Sequence, residues 1–247
     1  MGRRTQSCIF RGVHNGCSIR GRTSPPVRSH QMLCIGVALS REGRAMSTRT
    51  FFTSDLHLGH ANIIRYCDRP FSDVRAMDRA LIDGWNAVVR DVDEVWVVGD
   101  FCISRHRSAQ SYLSELNGNK HLVRGNHDKH DTVTASGWSS VQDIAQIDVD
   151  KRRVVLCHFG MRTWPRIGRG AVMLHGHSHG RLPGLRTSSG GGTCDVGVDV
   201  WLFRPVMLGE VLSRIARLSQ VGEFGEERDQ RDRNKFCLFR QSKREVT

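Results

Sequence analysis

The segment HGHSHG at residues 175–180 places three histidines at every second position. In an extended chain, residues i and i+2 point to the same side, so two or three of these imidazoles could face one metal ion. Imidazole is the commonest metal ligand that proteins supply. Taken alone, the segment fits a solvated, histidine-rich turn equally well. The metal interpretation therefore requires carboxylates and further histidines from other parts of the chain.

Four further polar clusters follow short apolar segments. SDLH at 54–57 follows TFFT, GD at 99–100 follows EVWVV, GNHD at 125–128 follows HLVR, and CH at 157–158 follows RVVL. The apolar runs have the length and β-branched content of strands. Segments with helical spacing lie between them, and alternating strands and helices indicate an α/β domain. Because such domains bind ligands outside the carboxyl ends of their strands, the five clusters are expected to share one crevice.

The elements between the clusters carry their own signals. Ser72 is predicted to cap a helix that runs to about Val89, and a second helix is predicted over 108–116, closed by Asn117 and Gly118. One continuous strand is predicted over 141–149, and an amphipathic helix over 208–218. These boundaries leave every polar cluster at the end of a strand.

The five clusters together resemble the motifs of the calcineurin-like metallophosphoesterase superfamily. Each piece alone is common, but DLH, GD, GNHD, His158 and GHSH stand in that order across 125 residues, from 55 to 179. The stretches FFTSDLHLGHANII and HFGMRTW are similar to the small bacterial and phage phosphoesterases of this superfamily. The resemblance covers about residues 51–218. It implies an α/β fold, a four-layer α/β/β/α sandwich of two mixed β-sheets.

The resemblance also implies a centre with two divalent metal ions. The ligands that it assigns to the first ion are Asp55, His57, Asp100 and His179, and those of the second are Asp100, Asn126, His158 and His177. A carboxylate such as Asp100 can bridge two ions about 3.5 to 4 Å apart. Mixed nitrogen and oxygen ligands suit manganese, our first choice, or iron, zinc or nickel, better than calcium or magnesium. A structural zinc site would normally include cysteines, and this set has none.

Phosphate ester hydrolysis is the reaction that such a centre implies. Two dications, two aspartates and a bridging hydroxide leave a net charge of about +1, which attracts a phosphate oxyanion for attack by that hydroxide. By resemblance, His127 is the general acid and Asp128 holds its ring in the productive tautomer. Phosphodiesters are the expected substrates, but the sequence leaves the choice between monoester and diester open. A monoester dianion would need a further cation near the site, and Arg162 is the one candidate.

Several residues near the motifs have two interpretations. His60 and Arg162 are proposed to contact the substrate, although helix capping explains His60 and a solvated loop explains Arg162 equally well. His175 is expected to lie outside the ligand set. Asp195 and Asp199, in DVGVD, are expected to support the histidines through hydrogen bonds from behind the ligands.

Length and charge divide the 247-residue chain into one large domain and two tails. Residues 1–45 hold eight arginines against one acidic residue, Glu42, and account for most of the net charge of +12. They are predicted to be a disordered basic extension, upstream of the true start if translation begins at Met46. Residues 46–221 are predicted to form the phosphoesterase domain and 222–247 a solvated tail. The apolar run 32–39 has the length of a signal-peptide core, but no strong cleavage pattern follows it.

Composition also limits location and function. No apolar run approaches the roughly 20 residues that span a bilayer, which argues against an integral membrane protein. The eight cysteines show no C-x-x-C pair, which indicates reduced thiols in a cytoplasmic protein. A non-catalytic metal-binding scaffold on the same fold and a nuclease or nucleic-acid binder using the basic arm are the alternatives. An intact His127 argues against the scaffold, and the modest charge of the domain itself argues against nucleic-acid binding.

Overall fold

The computed structural model describes residues 47–219, and the two predicted tails, 1–45 and 222–247, lie outside the described residues. Within the described range, the helices are α1 (Ala61–Tyr66), α2 (Val74–Asn86), α3 (Ala109–Leu113), α4 (His130–Val133) and α5 (Leu208–Ala216). The strands are β1 (Thr50–Thr53), β2 (Glu94–Val97), β3 (Asn119–Val123), β4 (Trp138–Gln142), β5 (Ile144–Val149), β6 (Arg152–Cys157), β7 (Val172–His175), β8 (Leu185–Arg186), β9 (Gly192–Asp195) and β10 (Val206–Met207).

The strands form two mixed sheets of five strands each. In the first sheet the order is β10-β1-β2-β3-β4, with β1 to β4 parallel and β10 antiparallel at the edge. In the second sheet the order is β5-β6-β7-β9-β8, with β6, β7 and β9 parallel and an antiparallel strand at each edge. The predicted α/β fold with two mixed sheets is confirmed.

Alternating side chains along the strands build the layers. Phe51 of β1 packs against the helices, whereas its neighbour Phe52 belongs to the core between the two sheets. In β6, Val154 faces that central core and Val155 the opposite side. This period of two lets each sheet bury both of its faces, one against the other sheet and one against an outer layer.

The two outer layers differ in construction. α2 and α3 cover the first sheet with residues at helical spacing, among them Met77, Leu81 and Trp85. The second sheet is covered by the segment around Trp164 and a 3₁₀ helix at Ile167–Arg169. The fourth layer is therefore irregular chain with one short helical turn, while α5 packs its apolar face into the central core.

The predicted strand over 141–149 is wrong in one respect, because it is two strands in two different sheets. β4 ends at Gln142 in the first sheet and β5 begins at Ile144 in the second. Asp143 lies between them and accepts a hydrogen bond from Arg124 Nε at 2.8 Å, so Arg124 does form a surface ion pair. Neither glycine nor proline marks the crossing, so the local sequence gave no signal for it.

The helix boundaries correct several of the sequence predictions, including the end of α2, which is Asn86 instead of about Val89. α2 is capped by Asp73 instead of Ser72, since the Asp73 carboxylate accepts the amide protons of Arg75 and Ala76, both at 2.9 Å. Ser108, predicted as the first residue of the second helix, is instead the N-cap of α3, and its hydroxyl accepts the amide proton of Ser111. α3 ends at Leu113 and α5 at Ala216, two to three residues before the predicted ends, where final turns commonly fray.

No helix in residues 47–219 is long and apolar enough to cross a membrane. The cysteines in this range are Cys67, Cys102, Cys157 and Cys194, and all are free thiols. Three of the four are buried, where a thiol behaves as a small apolar side chain.

Trp85→Ala should test the packing of the helical layer on the first sheet. Trp85 is fully buried and its indole N–H donates to the carbonyl of Asn117 at 3.0 Å. We expect the substitution to lower the free energy of unfolding by about 3–5 kcal/mol, measured by urea denaturation. Trp85→Phe retains most of the packing and should cost less. A loss below about 1 kcal/mol for Trp85→Ala would contradict this packing.

Candidate metal centre

The polar clusters converge at the carboxyl ends of the parallel strands. Asp55 and His57 follow β1, Asp100 follows β2, and Asn126 and His127 follow β3 in the first sheet. His158 follows β6, and His177 and His179 follow β7, in the second sheet. A parallel bridge between Ser54 and Gly197 connects the two sheets at this end. The predicted crevice therefore receives side chains from both sheets.

Two groups of donor atoms share the carboxylate of Asp55. The ligand atoms of Asp55, His57 and His179 all lie within 4.8 Å of one another, and so do those of Asp55, Asp100 and His158. The rings of His57 and His179 stack with centroids 5.3 Å apart. Donor atoms this close can coordinate a common ion, because metal–ligand bonds to nitrogen and oxygen are about 2.0–2.2 Å long.

Asp100, a member of the second group, also approaches His57 of the first group. Its Oδ2 is 3.5 Å from Nε2 of His57 and 3.5 Å from Nε2 of His158. Nε2 of His158 is also 3.0 Å from Oδ1 of Asn126, and the His158 ring lies 5.2 Å from that of His177. All seven side chains predicted as ligands are therefore gathered in one continuous cluster.

The histidines at the centre of the cluster have orientations that suit coordination. Nδ1 of His158 faces the carbonyl of Val98 at 2.9 Å, and Nδ1 of His179 faces Asp199 at 2.7 Å. With a proton on Nδ1, each ring directs the lone pair of Nε2 toward the cluster. His57 is buried, and neither of its ring nitrogens has a hydrogen-bond partner. Such an unpaired buried group is costly, and a bound cation would satisfy it, so the donors present fit divalent metal ions.

The pKa shifts in the cluster reflect the burial of charged groups close to one another. Burial raises the pKa of Asp55 to about 7, although His179 and His158 oppose the shift. Burial also lowers the pKa of His57 to about 3. Burial alone would raise the pKa of Asp100, but its hydrogen bond and charge interaction with His158 lower it to about 2. Cations at this position would stabilise the ionised carboxylates, which burial otherwise disfavours.

Left-handed backbone occurs at five of the predicted ligands. The φ angles are +55° at Asp55, +50° at His57, +56° at Asp100, +64° at His177 and +48° at His179. L-residues other than glycine rarely adopt this conformation, and it concentrates at functional sites. The sequence argument from an extended chain is therefore wrong in its geometry, because D-x-H and H-x-H have left-handed backbone after the strands instead of continuing them. These changes in backbone direction bring the side chains of each motif into the crevice.

Two glycines permit the close approach of the motifs. At Gly99, which has a φ of +88°, an added Cβ would lie 2.3 Å from Nδ1 of His158. At Gly176 it would lie 1.9 Å from Oγ of Ser54 and 2.5 Å from Oδ2 of Asp55. Any larger residue at these positions would displace Asp55 or His158, which explains the glycine in GD and GHSH.

His127 and Asp128 occupy different environments. The side chain of His127 is exposed, its ring lies 5.5 Å from that of His57, and its amide donates to Oδ1 of Asp100 at 2.9 Å. Asp128 is buried, and its oxygens accept the amide protons of Asp100, Phe101 and Gly125 at 2.8–2.9 Å. The carboxylate expected to accept a hydrogen bond from the ring of His127 instead accepts backbone amide protons from the loops that carry Asp100 and Gly125.

The other predicted contacts vary in their distance from the cluster. The ring of His60 lies 5.4 Å from that of His57, and its side chain makes no capping hydrogen bond to α1. Arg162 is exposed, and no ion pair involves it among residues 47–219. His175 is fully buried, outside both groups of donor atoms, with Nδ1 facing the carbonyl of Gly176 at 3.1 Å.

The sequence between the first strand and the last matches one known family. Residues 49–205, more than half of the chain, match the calcineurin-like phosphoesterase superfamily domain. The chain belongs to the calcineurin-like phosphoesterase superfamily. This membership confirms the resemblance inferred from the motifs and places the domain among the metal-dependent hydrolases of phosphoric esters.

Three similar proteins illustrate the range of relatives. An uncharacterized protein of Methanocaldococcus jannaschii is 48% identical over 83 residues, which are 33% of this chain and 47% of that protein, so the match spans about half of its length. The Gene 66 protein of Mycobacterium phage L5 is 29% identical over 197 residues, 68% of this chain and 91% of the phage protein. The crystal structure of a protein of unknown function from Aquifex aeolicus has a TM-score of 0.53 at 20% identity, over 68% of this chain and 100% of that one. The structural similarity shows the shared fold.

Arg69 is a buried residue of this phosphoesterase domain that the sequence analysis missed. Its guanidinium donates to both carboxylate oxygens of Asp199, at 2.7 and 2.9 Å. It also donates to the carbonyls of Asp55 at 2.7 Å and Leu56 at 2.9 Å. Because Asp199 accepts from Nδ1 of His179, one arginine fixes two of the metal-ligand motifs. A lone Arg-Pro pair after a helix carries no signal for this role.

Asp195 and Asp199 support the turn that carries His177 and His179 from two sides. Asp195 accepts from Oγ of Ser178 at 2.7 Å and from the amide of Gly180 at 2.9 Å. The two carboxylates do not share one strand, since Asp195 ends β9 and Asp199 lies in a 3₁₀ helix at Val198–Val200. The expected hydrogen bonds to the histidine segment are present, but they come from the end of a strand and from a 3₁₀ helix instead of from one continuous strand.

Asp199→Asn should weaken metal binding without removing any proposed ligand. The carboxylate orients His179 and increases its basicity, so its loss should reduce the affinity for manganese about 10- to 100-fold, measured by chelator competition. Asp143→Asn, which removes an exposed carboxylate paired with Arg124, is the matched control and should leave the affinity unchanged. Equal affinities in the two variants would show that Asp199 does not position His179.

Proposed function

We propose that this protein is a dinuclear metal-dependent phosphodiesterase. The observation that carries the proposal is the position of Asp100, whose Oδ2 lies 3.5 Å from Nε2 of His57 and of His158 and can serve two ions. The proposed ligands of the first ion are Asp55, His57, Asp100 and His179, and those of the second are Asp100, Asn126, His158 and His177. A shared carboxylate is typical of centres that hold two cations close together.

Manganese is the metal we propose, with iron, zinc or nickel as alternatives. Four imidazoles, two carboxylates and one amide oxygen form a donor set richer in nitrogen than calcium or magnesium prefers. When bound, the two cations supply Lewis acidity that activates water and neutralises negative charge on the phosphate. The ionised forms of Asp55 and Asp100 balance part of that positive charge.

His127 is the proposed general acid. Its ring is exposed toward the crevice beside His57, while its backbone is fixed by the hydrogen bond to Asp100. As the oxygen of water bonds to phosphorus and the ester bond breaks, a proton on this ring can pass to the departing oxygen. Asp128 supports His127 indirectly, because its carboxylate accepts backbone amide protons from Gly125 of the same loop and from Asp100. Burial, and then the charge of His127, lower the pKa of the His60 imidazole. His60 is therefore a neutral hydrogen-bonding group beside His127.

Charge near the cluster favours a diester over a monoester. A monoester dianion has one more negative charge and would need another free cation at the site. Arg69 is buried and already paired with Asp199. Arg65 and Arg181 contact the ring and the carbonyl of Tyr66, farther from the proposed metal positions than His60. Arg162 is exposed on the loop after β6, and we propose that it contacts the substrate only at the edge of the crevice. A singly charged phosphodiester matches the net charge of about +1 that two dications, two aspartates and a hydroxide would give the site.

Comparison of a diester with a monoester tests this function directly. With manganese present, we expect kcat/KM for bis(p-nitrophenyl) phosphate to exceed that for p-nitrophenyl phosphate. Removal of the metal by a chelator, or Asp100→Asn, should abolish both activities. A clear preference for the monoester would contradict the diester assignment. Tight metal binding without hydrolysis of either ester would favour the alternative of a non-catalytic scaffold.

His127→Asn tests the general acid. For a diester with an alkyl leaving group, kcat should fall about 10²- to 10⁴-fold, because the alkoxide needs a proton. For p-nitrophenolate the loss should be much smaller, since this leaving group departs as an anion. Manganese content should not change, and His130→Asn, an exposed histidine in α4, is the control. A loss within a few-fold on both substrates would rule out this role.

Location and the basic arm remain predictions. The free thiols of the described cysteines agree with the proposed cytoplasmic location. Nucleic-acid binding through residues 1–45 concerns a segment outside the described residues.

A further inference from the structure

Two exposed aromatic rings lie at the rim of the metal centre. Phe159 is 48% exposed and Tyr66 is 53% exposed, and they are the two aromatic members of the large apolar side chains exposed within residues 47–219. Each ring contacts a histidine ring of the site or its immediate neighbour. Exposed aromatic surface concentrated at a reaction site indicates a ligand that covers it.

Phe159 lies beside the proposed second metal position. It directly follows His158, and its ring centroid is 4.8 Å from that of His177 and 5.1 Å from that of His158. Leu182, which is 46% exposed, approaches the same loop at Gly160. The ring is thus held against two histidines while about half of its surface faces the open crevice.

Tyr66 lies on the side of the proposed first metal position. Its ring is 6.3 Å from that of His60, which in turn is 5.4 Å from that of His57. The guanidinium of Arg65 lies 5.5 Å from the ring centroid, and Arg181 donates to the carbonyl of Tyr66 at 3.1 Å. This side of the rim therefore combines an aromatic surface with two cations.

Aromatic faces and arginines around a phosphate site match the chemistry of nucleotides. A nucleobase stacks on an aromatic side chain, and its phosphates are attracted to cations close by. An aliphatic ester such as a glycerophosphodiester has no flat ring to stack and would leave Phe159 exposed. Among the described residues no arginine stacks on Phe159, and 48% of its side chain is exposed, so part of the ring is available for contact with a base.

We propose that the substrate is a phosphodiester of a nucleoside, with its base stacked on Phe159. This inference rests on the proposed phosphodiesterase function and names the substrate class. Phe159 is then a specificity-determining residue that acts through contact with the base, and Tyr66 with Arg65 and Arg181 provides a second surface for the other ester group. Neither ring takes part in the chemistry at phosphorus.

Binding of two matched ligands to the manganese-loaded protein tests the proposal. Adenosine 5′-monophosphate and ribose 5-phosphate differ only by the base, so calorimetry isolates its contribution. We expect the wild type to bind the adenosine compound about tenfold or more tightly. Phe159→Ala should abolish that difference while leaving the Kd of ribose 5-phosphate and the manganese content unchanged. Phe159→Trp should retain the preference because it keeps an aromatic face.

Two control variants separate stacking from general apolar contact. Leu182→Ala removes exposed apolar surface from the same rim, and Val92→Ala removes a side chain that is 51% exposed at the amino end of β2. Both should keep the preference for the base. Equal binding of the two ligands by the wild type, or a preference that survives in Phe159→Ala, would overturn the inference. Failure to hydrolyse bis(p-nitrophenyl) phosphate would instead reject the phosphodiesterase function, whatever the ligands do.

Discussion

The burial of carboxylates among histidines is the constraint on which the structure of the site depends. Asp55 and Asp100 are almost completely removed from solvent, yet they come from neighbouring strands of the first sheet and meet histidines from the second. Burying ionised carboxylates is costly unless positive charge compensates them. The interface between the two sheets therefore ends in a crevice that suits bound cations, and this links the fold to the chemistry of its superfamily.

The surrounding structure supports an unfavourable local arrangement. Left-handed backbone at Asp55, His57 and Asp100, and the unpaired ring of His57, each have a cost in the folded state. Hydrogen bonds from outside the cluster oppose that cost. Asp128 binds the amides of the loops after β2 and β3, while Arg69 connects the first loop to Asp199 and so to His179. Behind them, the closely packed sheets restrict the relaxation of the turns.

Inner and outer parts of the site have different tasks. Asp55, His57, Asp100 and His158 are buried at the bottom of the site, whereas Asn126, His127 and His177 are exposed above them, and together they suit the reaction itself. The aromatic rim, Phe159 and Tyr66, is exposed. Selection of a substrate by such a rim requires no change in the metal ligands. This division is consistent with one fold serving many phosphate esters.

The sequence alone determined most strand ends, the five motifs and the family, because the short apolar runs TFFT, EVWVV and RVVL and the polar residues after them are local features. It also predicted two mixed sheets through the resemblance. Only the tertiary structure decided that 141–149 divides between the sheets at Asp143, that the motifs have left-handed backbone, and that Asp128 binds backbone amides. Arg69 and Asp199 are 130 positions apart, and the exposure of Phe159 depends on what its neighbours leave uncovered. Such features arise from contacts between distant segments, which no local pattern encodes.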